Sequence, residues 1–525
     1  MLVRLTSAAI LLSLTLAACA PATAPPASTG GAQQPTERRA ANQSIKIAQL
    51  GMPATMSPEA SNSYIAVYWS MYDPAMTLNE KMDVVPWAAE KWSQVNPTTW
   101  RITLRKDMVF SNGDKMTADD LEFTGKLMLE TRTPQITQFG NLTEVKKFDE
   151  YSVDFITKIP DASVLPAMGY LWIMPKKYYE SVGKNGFAAK PVGSGPYDLM
   201  DFRSADIAVF KKRATAHPFR KPQPEELTFR SITEQTQMIA GLKTGELDVV
   251  IGQLNPDRIQ SLTDQEATVL SRLSSVNTAV FSQTENQSRN TPLTDKRVRL
   301  ALNYAVDKEA IAKNIYRGFA KPTGQLSVPD SPSWDPNVQP IPYDPAMAKK
   351  LLAEAGYPNG FKLPIGMEFT ALTGNVQMIT AIQSYLRDVG VEAAVTEYEL
   401  GQFLDKFYGR AGQTKGDIFF TGTGDGNGFA TTIYGYYTCK KPLVWWCNPA
   451  FDTNMEAAVG EPDITKRGAL MRKAIATLRD DVGLLFLFLT PSFIIHRPTI
   501  KGWTWGAADW GSQGFYNFDR AYRVE

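Results

Sequence analysis

Apolar and polar residues alternate along Ser44-Ile-Lys-Ile-Ala-Gln-Leu50, the period-two pattern of a half-buried strand. The alternation recurs at Trp100-Arg-Ile-Thr-Leu-Arg105, with Ile102 and Leu104 on one face, and again at Val153-Asp-Phe-Ile-Thr157. Elsewhere the period lengthens to that of a helix. After the turn Ser111-Asn-Gly-Asp114, Thr117 with Asp120 three residues on opens a helix as a capping-box variant. Met238, Ile239 and Leu242 mark another, Gly245 stops it, and Leu247-Asp-Val-Val-Ile251 extends. Val298, Leu302 and Ala305 fall at helical spacing, and Asp307 caps a following helix that carries Ile311 and Ile315. Asp344-Pro345 supplies an N-cap with a first-turn proline, and Gly356 a stop. Helices are also expected over 376–389 and 463–479. Ala279-Val-Phe281 reads as strand, and Leu484–Leu489 is a strand-sized apolar run followed by Pro491. This irregular alternation without an internal repeat predicts an α/β fold with mixed sheets.

The N-terminus has a different pattern. Arg4 precedes an apolar run from Ala8 to Ala18, eleven residues against the roughly 20 that a spanning helix needs. That is the size of a secretory h-region. It ends in Leu16-Ala17-Ala18-Cys19, which resembles the lipobox of bacterial lipoproteins, so residues 1–18 read as a lipoprotein-type signal and Cys19 as the acylated first residue. Ordinary cleavage after Ala18-Cys19-Ala20 is the alternative. Residues 19–43, rich in Pro, Ala, Thr and Gly without periodicity, read as a flexible tether. The expected location is outside the cytoplasm, in the periplasm or on the outer face of the membrane, with contact to the membrane through the lipid anchor alone.

Composition narrows the classes further. With 525 residues, 43% hydrophobic and 21% charged, the chain is globular and large enough for several domains. The 55 basic and 54 acidic side chains leave a net charge of +1, so no global field draws it to nucleic acid. Two histidines, His217 and His496, argue against a histidine metal centre, and no metal or cofactor is expected. In an exported chain, Cys439 and Cys447, with seven residues between them, favour a disulfide.

Several segments in order resemble the extracytoplasmic solute-binding proteins of family 5, which serve peptide, nickel and oligopeptide ABC importers. They are Val85-Pro-Trp-Ala-Ala-Glu-Lys-Trp92, Phe110-Ser-Asn-Gly-Asp114, Pro191-Val-Gly-Ser-Gly-Pro-Tyr197 and Leu242-Lys-Thr-Gly-Glu-Leu-Asp-Val249. The series continues through Pro292–Asp307, Asp344–Pro358 and Cys447-Asn-Pro-Ala-Phe-Asp452, a tract where related proteins also pair two cysteines. The resemblance implies a two-lobed periplasmic-binding-protein fold of the large kind, with an extra subdomain, mixed sheets and a two-strand hinge. Lobe I would be 44–278 plus 498–525 and lobe II 286–495. Two hinge crossings are expected at 279–285 and 494–498, near Ala279–Phe281 and Ile494–Pro498. A ligand would be buried between the lobes, and permease subunits would be the protein partners of a monomer.

Catalytic chemistry is not expected. Ser194, in Gly193-Ser-Gly195, lacks the glycine two residues earlier that a nucleophile elbow needs and reads as a turn residue. His217-Pro218 likewise reads as a turn, and His496 is expected on the second crossing strand. The glycine-rich stretch Gly422-Thr-Gly-Asp-Gly-Asn-Gly-Phe429 leaves its backbone open to a ligand. In peptide-binding members this region reads G-W-x-x-D-x-x-D-P, and an acidic residue holds the peptide's ammonium. Asp425 aligns with the first aspartate, but Gly428 falls at the second. The expected ligand contacts are Asn62, Ser63 and Tyr64 from an early loop, Asp425 and Asn427, and the aromatics Tyr436, Trp445 and Trp503. The first ligand class is a short peptide; an oligosaccharide, glycoside or opine-like sugar conjugate is the alternative, and a secreted hydrolase the reading from a different class.

Overall fold

The computed structural model describes residues 38–60, 64–79, 82–131, 139–252, 254–282, 287–370, 376–407, 415–422, 431–439, 445–505 and 516–525. Its centre is a mixed sheet of 11 strands, of which ten lie on one path. In chain order these are β1 (Ser44–Gln49), β2 (Tyr197–Arg203), β3 (Ile207–Lys212), β4 (Glu226–Ser231), β5 (Val249–Gly252) and β6 (Thr268–Phe281), then β7 (Met367–Phe369), β8 (Val395–Glu397), β9 (Ile418–Gly422) and β10 (Leu484–His496). Their order in space is β8-β7-β9-β6-β10-β5-β1-β4-β3-β2, with Lys321–Pro322 paired beside β10.

Two strands make this one sheet rather than two. β6 and β10 pair antiparallel along almost their whole lengths, 14 and 13 residues. One half of the pair is flanked by β9, with Asn277–Phe281 against Gly422–Ile418, and the other by β5, with Phe493–His496 against Gly252–Val249. Pro491 does not end β10 as its apolar run alone implies. It lies opposite Leu273, where the register shifts before Ser275, and a proline at a bulge forfeits no ladder hydrogen bond. A second shift falls between Asn277 and Thr278. The expected crossing residues Ala279–Phe281 and Ile494–His496 lie toward the far ends of these strands, and Arg497 and Pro498 just beyond β10.

The apolar cores divide at the same place. Buried members of two clusters come from 45–267 and 493–521, and those of two others from 276–489. The first half also carries a four-stranded antiparallel sheet, Ala89–Asn96, Thr99–Leu104, Ser152–Thr157 and Leu142–Lys147, which accommodates the alternating segments around 100 and 153.

The helices follow their local signals. Asp120 accepts from the Thr117 amide at 2.8 Å ahead of Ala118–Thr131; Asp307, Asp344 and Asp463 cap their helices through side-chain oxygens; Gly245 ends Gln235–Thr244 at φ 80°. Helix α1 (Ile65–Met71) is buried on all sides. Its last residue meets the Gly193-Ser-Gly195 turn so closely that a Cβ on Gly193 would fall 2.1 Å from the Met71 carbonyl oxygen. Gly195 donates its amide to that same oxygen at 2.8 Å. Gly193→Ala is therefore expected to cost several kcal/mol of stability through backbone displacement, read as a lowered denaturation midpoint.

Candidate functional site

Strand direction brings two loops to one level of the sheet. β1 ends at Gln49, beside Ile251 of β5, and the next β5 residue, Gly252, pairs with Phe493. β9 ends at Gly422, opposite Asn277, which in turn faces Phe488. Phe488 and Phe493 bracket the irregular middle of β10. The strand ends at Gln49 and Gly422 thus lie on either side of the point where the cores divide. Loops beyond the carboxyl ends of strands, at such a change of order, are where α/β proteins bind ligands.

The first loop is held from beneath by α1. Tyr68 and Tyr72, one turn apart, donate hydroxyl hydrogen bonds to the carbonyls of Thr55 at 3.0 Å and Met56 at 2.8 Å. Burial pushes both phenols well above the usual tyrosine range. Gln49 donates to the Gly51 carbonyl at 3.0 Å. Gly51 has φ +92°, and Tyr64, itself left-handed at φ 60°, lays its hydroxyl 3.0 Å from where a Gly51 Cβ would sit. Of the three early contacts expected, Tyr64 is therefore half-buried over the start of the loop, while Asn62 and Ser63 lie outside the described residues.

Asp425, Asn427 and Gly428, on the second loop, also lie outside the described residues. The chain returns in α2 (Thr431–Tyr437), where Tyr436 stacks flat on Trp445, centroids 4.2 Å apart and planes 8° from parallel. Trp445 is a core ring, 1% exposed. Its Nε1 donates to the Phe407 carbonyl at 3.3 Å, and Phe419 and Tyr437 meet it edge-on. Tyr436, half-buried, is the outer member of the pair. Cys439 and Cys447 form a disulfide with Cα atoms 4.8 Å apart, fastening the end of α2 to the residues after Trp445. Replacing both cysteines by serine is expected to lower stability by roughly 2–3 kcal/mol on the chain-entropy account, measured as a shift of the urea midpoint. Trp503 lies elsewhere, 5% exposed against Phe518, and its Nε1 has no hydrogen-bond partner among the described residues.

The turn residues around 73, 194 and 217 converge on a buried network that their sequence pattern does not reveal. Asp73, 0% exposed, accepts from Ser194 Oγ at 2.8 Å, Trp87 Nε1 at 2.8 Å and His217 Nε2 at 3.0 Å, and Arg220 Nη1 lies 3.6 Å away. Arg220 also forks onto Asp519 at 2.8 and 3.0 Å. His217 lies in an irregular bend, as expected, but its ring is buried, and its Nδ1 accepts the Arg220 amide at 3.1 Å, which leaves the proton on Nε2. The only local signals were Tyr72-Asp73-Pro74 and His217-Pro-Phe-Arg220, neither of which has a long-range pattern. Ser, His and Asp meet here with the carboxylate in the middle. Ser194 gives its hydrogen bond to Asp73, not to the imidazole, so this trio lacks the nucleophile–base pair that hydrolysis requires.

His496 ends β10 as expected, and burial lowers its pKa. Among the described residues no cluster of His, Cys, Asp and Glu has the make-up of a metal site, and no helix is long and apolar enough to cross a membrane.

The sequence profile of bacterial extracellular solute-binding proteins, family 5 middle, matches residues 83–445. The dipeptide-binding protein of Escherichia coli K12 is 26% identical over 487 residues, covering 85% of this chain and 90% of its own. Heme-binding protein A of Haemophilus influenzae is 24% identical and covers 96% of each chain. Among solved structures, a periplasmic binding protein of Helicobacter pylori in complex with the peptide STSA superimposes with a TM-score of 0.75 at 22% identity, covering 93% of this chain and 99% of its own.

Proposed function

Since this chain belongs to family 5 of the bacterial extracellular solute-binding proteins, we propose that it captures a short peptide between two lobes and delivers it to the permease of an ABC importer. The observation that carries this reading is the pair of strand ends, Gln49 and Gly422, on opposite sides of the irregular middle of one continuous sheet. We place the hinge at the two register shifts, Leu273–Thr278 on β6 facing Phe486–Pro491 on β10. Bending there leaves both sets of cores intact, and a peptide then shifts the open–closed population by its greater affinity for the closed form. An extended peptide is suited to such a slot because its main chain is held by strand-like hydrogen bonds. Acylation at Cys19 would keep the body at the outer face of the membrane, within reach of the permease, as a monomer.

Gly428, at the position of the second aspartate in peptide binders, favours a second reading, a sugar conjugate without a free ammonium. Thermal unfolding of the full chain with di- to pentapeptides, oligosaccharides and opines separates the two. A ligand at 100 times its dissociation constant adds about 2.7 kcal/mol of stability. Peptide-dependent stabilisation is the expected result. Stabilisation by glycans alone retires the peptide reading, and none with any of them removes small-solute capture.

A further inference from the structure

Beneath the first loop, between the turn Pro58–Ala60 and the helix Ala118–Thr131, lies a cavity of about 20 Å³, room for one water-sized group. Its walls are mostly apolar or aromatic, Leu127, Met128, Tyr170, Trp172 and Met174 among them, with the hydroxyl-bearing Thr124, and the one carboxylate lining it is Glu59. Glu59 is 8% exposed. Its Oε1 accepts the Tyr179 hydroxyl at 3.0 Å and lies 3.8 Å from Lys184 Nζ, on a side chain that is itself largely exposed. Its Oε2 is buried and has no hydrogen-bond partner among the described residues.

A carboxylate oxygen buried without a donor is costly, and the cost falls on whatever leaves the site empty. A neutral water would give Oε2 only an uncharged hydrogen bond. A primary ammonium group is also about the size of water. It would give Oε2 a charge-assisted hydrogen bond, with the rings of Tyr170 and Trp172 among the cavity walls. We propose that the Glu59 cavity is a binding site for a primary ammonium group, carried by a free alkylamine or by an amino group of the transported solute. The site stands on its own geometry and does not depend on the peptide reading.

The test is thermal unfolding of the full chain with methylammonium chloride, against sodium chloride and tetramethylammonium chloride at equal ionic strength. A saturable rise in midpoint of about one to a few °C is expected with methylammonium alone, because tetramethylammonium carries the same charge but donates no hydrogen bond. Glu59→Gln, checked for an unchanged circular dichroism spectrum, is expected to lose that rise. Tyr179→Phe, which leaves Oε2 in place, is expected to keep it. Ala-Ala and N-acetyl-Ala-Ala distinguish the source. If Glu59→Gln weakens the response to the free peptide and not to the acetylated one, the ammonium belongs to the solute; if it removes the methylammonium response and leaves both peptides alone, it belongs to a free amine. Equal responses to all three salts, no response to methylammonium, or a full response in a folded Glu59→Gln protein each overturn the proposal.

Discussion

Asp73→Ala is expected to lower the stability of the protein by about 3–5 kcal/mol, because it removes the acceptor on which a buried arginine, a histidine, a tryptophan and a serine converge. Arg220 would keep Asp519 but lose its second anion, and Ser194 would lose the acceptor of its hydroxyl proton while still accepting the amide of residue 73. Asp73→Asn keeps the shape and some of the hydrogen bonding, so its loss is expected to be smaller. The pH dependence separates charge from packing. Burial on its own would raise the Asp73 pKa, but the hydrogen bonds from His217 and Ser194 and the charge of Arg220 outweigh it and hold the carboxyl well below its ordinary 3.8. A depressed carboxylate contributes stability that is complete above its unfolded pKa and is lost as pH falls toward the folded value. Wild-type protein is therefore expected to lose stability steeply below about pH 4. Asp73→Asn is expected to show a shallower acid limb, measured by urea unfolding from pH 7 to pH 2. Parallel acid limbs would mean that Asp73 does not carry the network's charge.

The second large effect divides the stacked pair. Trp445→Ala empties a site 1% exposed among Phe407, Phe419 and Tyr437, and is expected to cost about 3–5 kcal/mol. Tyr436→Ala removes the outer ring and leaves the inner one in place, so its cost in stability is expected to be about 1–2 kcal/mol, with a several-fold loss of ligand affinity. Calorimetric titration of both variants reads the difference. If Tyr436→Ala binds as wild type does, the aromatic edge after the second loop is not a ligand surface.

Much of the fold was legible because its signals are local. Capping aspartates at 307, 344 and 463 and the glycine stop at 245 act within a turn of the chain, so the sequence marks them directly. The long strands were less legible. Thr268–Val276 carries little alternation, and Pro491 looks like an end. Pairing between segments more than 200 residues apart is what makes them strands, with the bulge at Leu273 accommodating the proline. The same holds for the site. Of the ligand contacts expected from the sequence, Tyr64 and Tyr436 are half-buried, but Trp445 is drawn into the core by Phe407 and Phe419, which no local spacing announces. The Asp73 network joins residues up to 446 positions apart and has no sequence signature at all.

Small-angle X-ray scattering of the full chain with and without a saturating peptide, chosen as one that raises the unfolding midpoint, tests hinge closure most directly. Closing about Leu273–Thr278 and Phe486–Pro491 brings the two sets of cores together, so the radius of gyration is expected to fall when the peptide binds. A peptide that binds tightly and leaves the scattering curve unchanged would contradict capture by closure between two lobes.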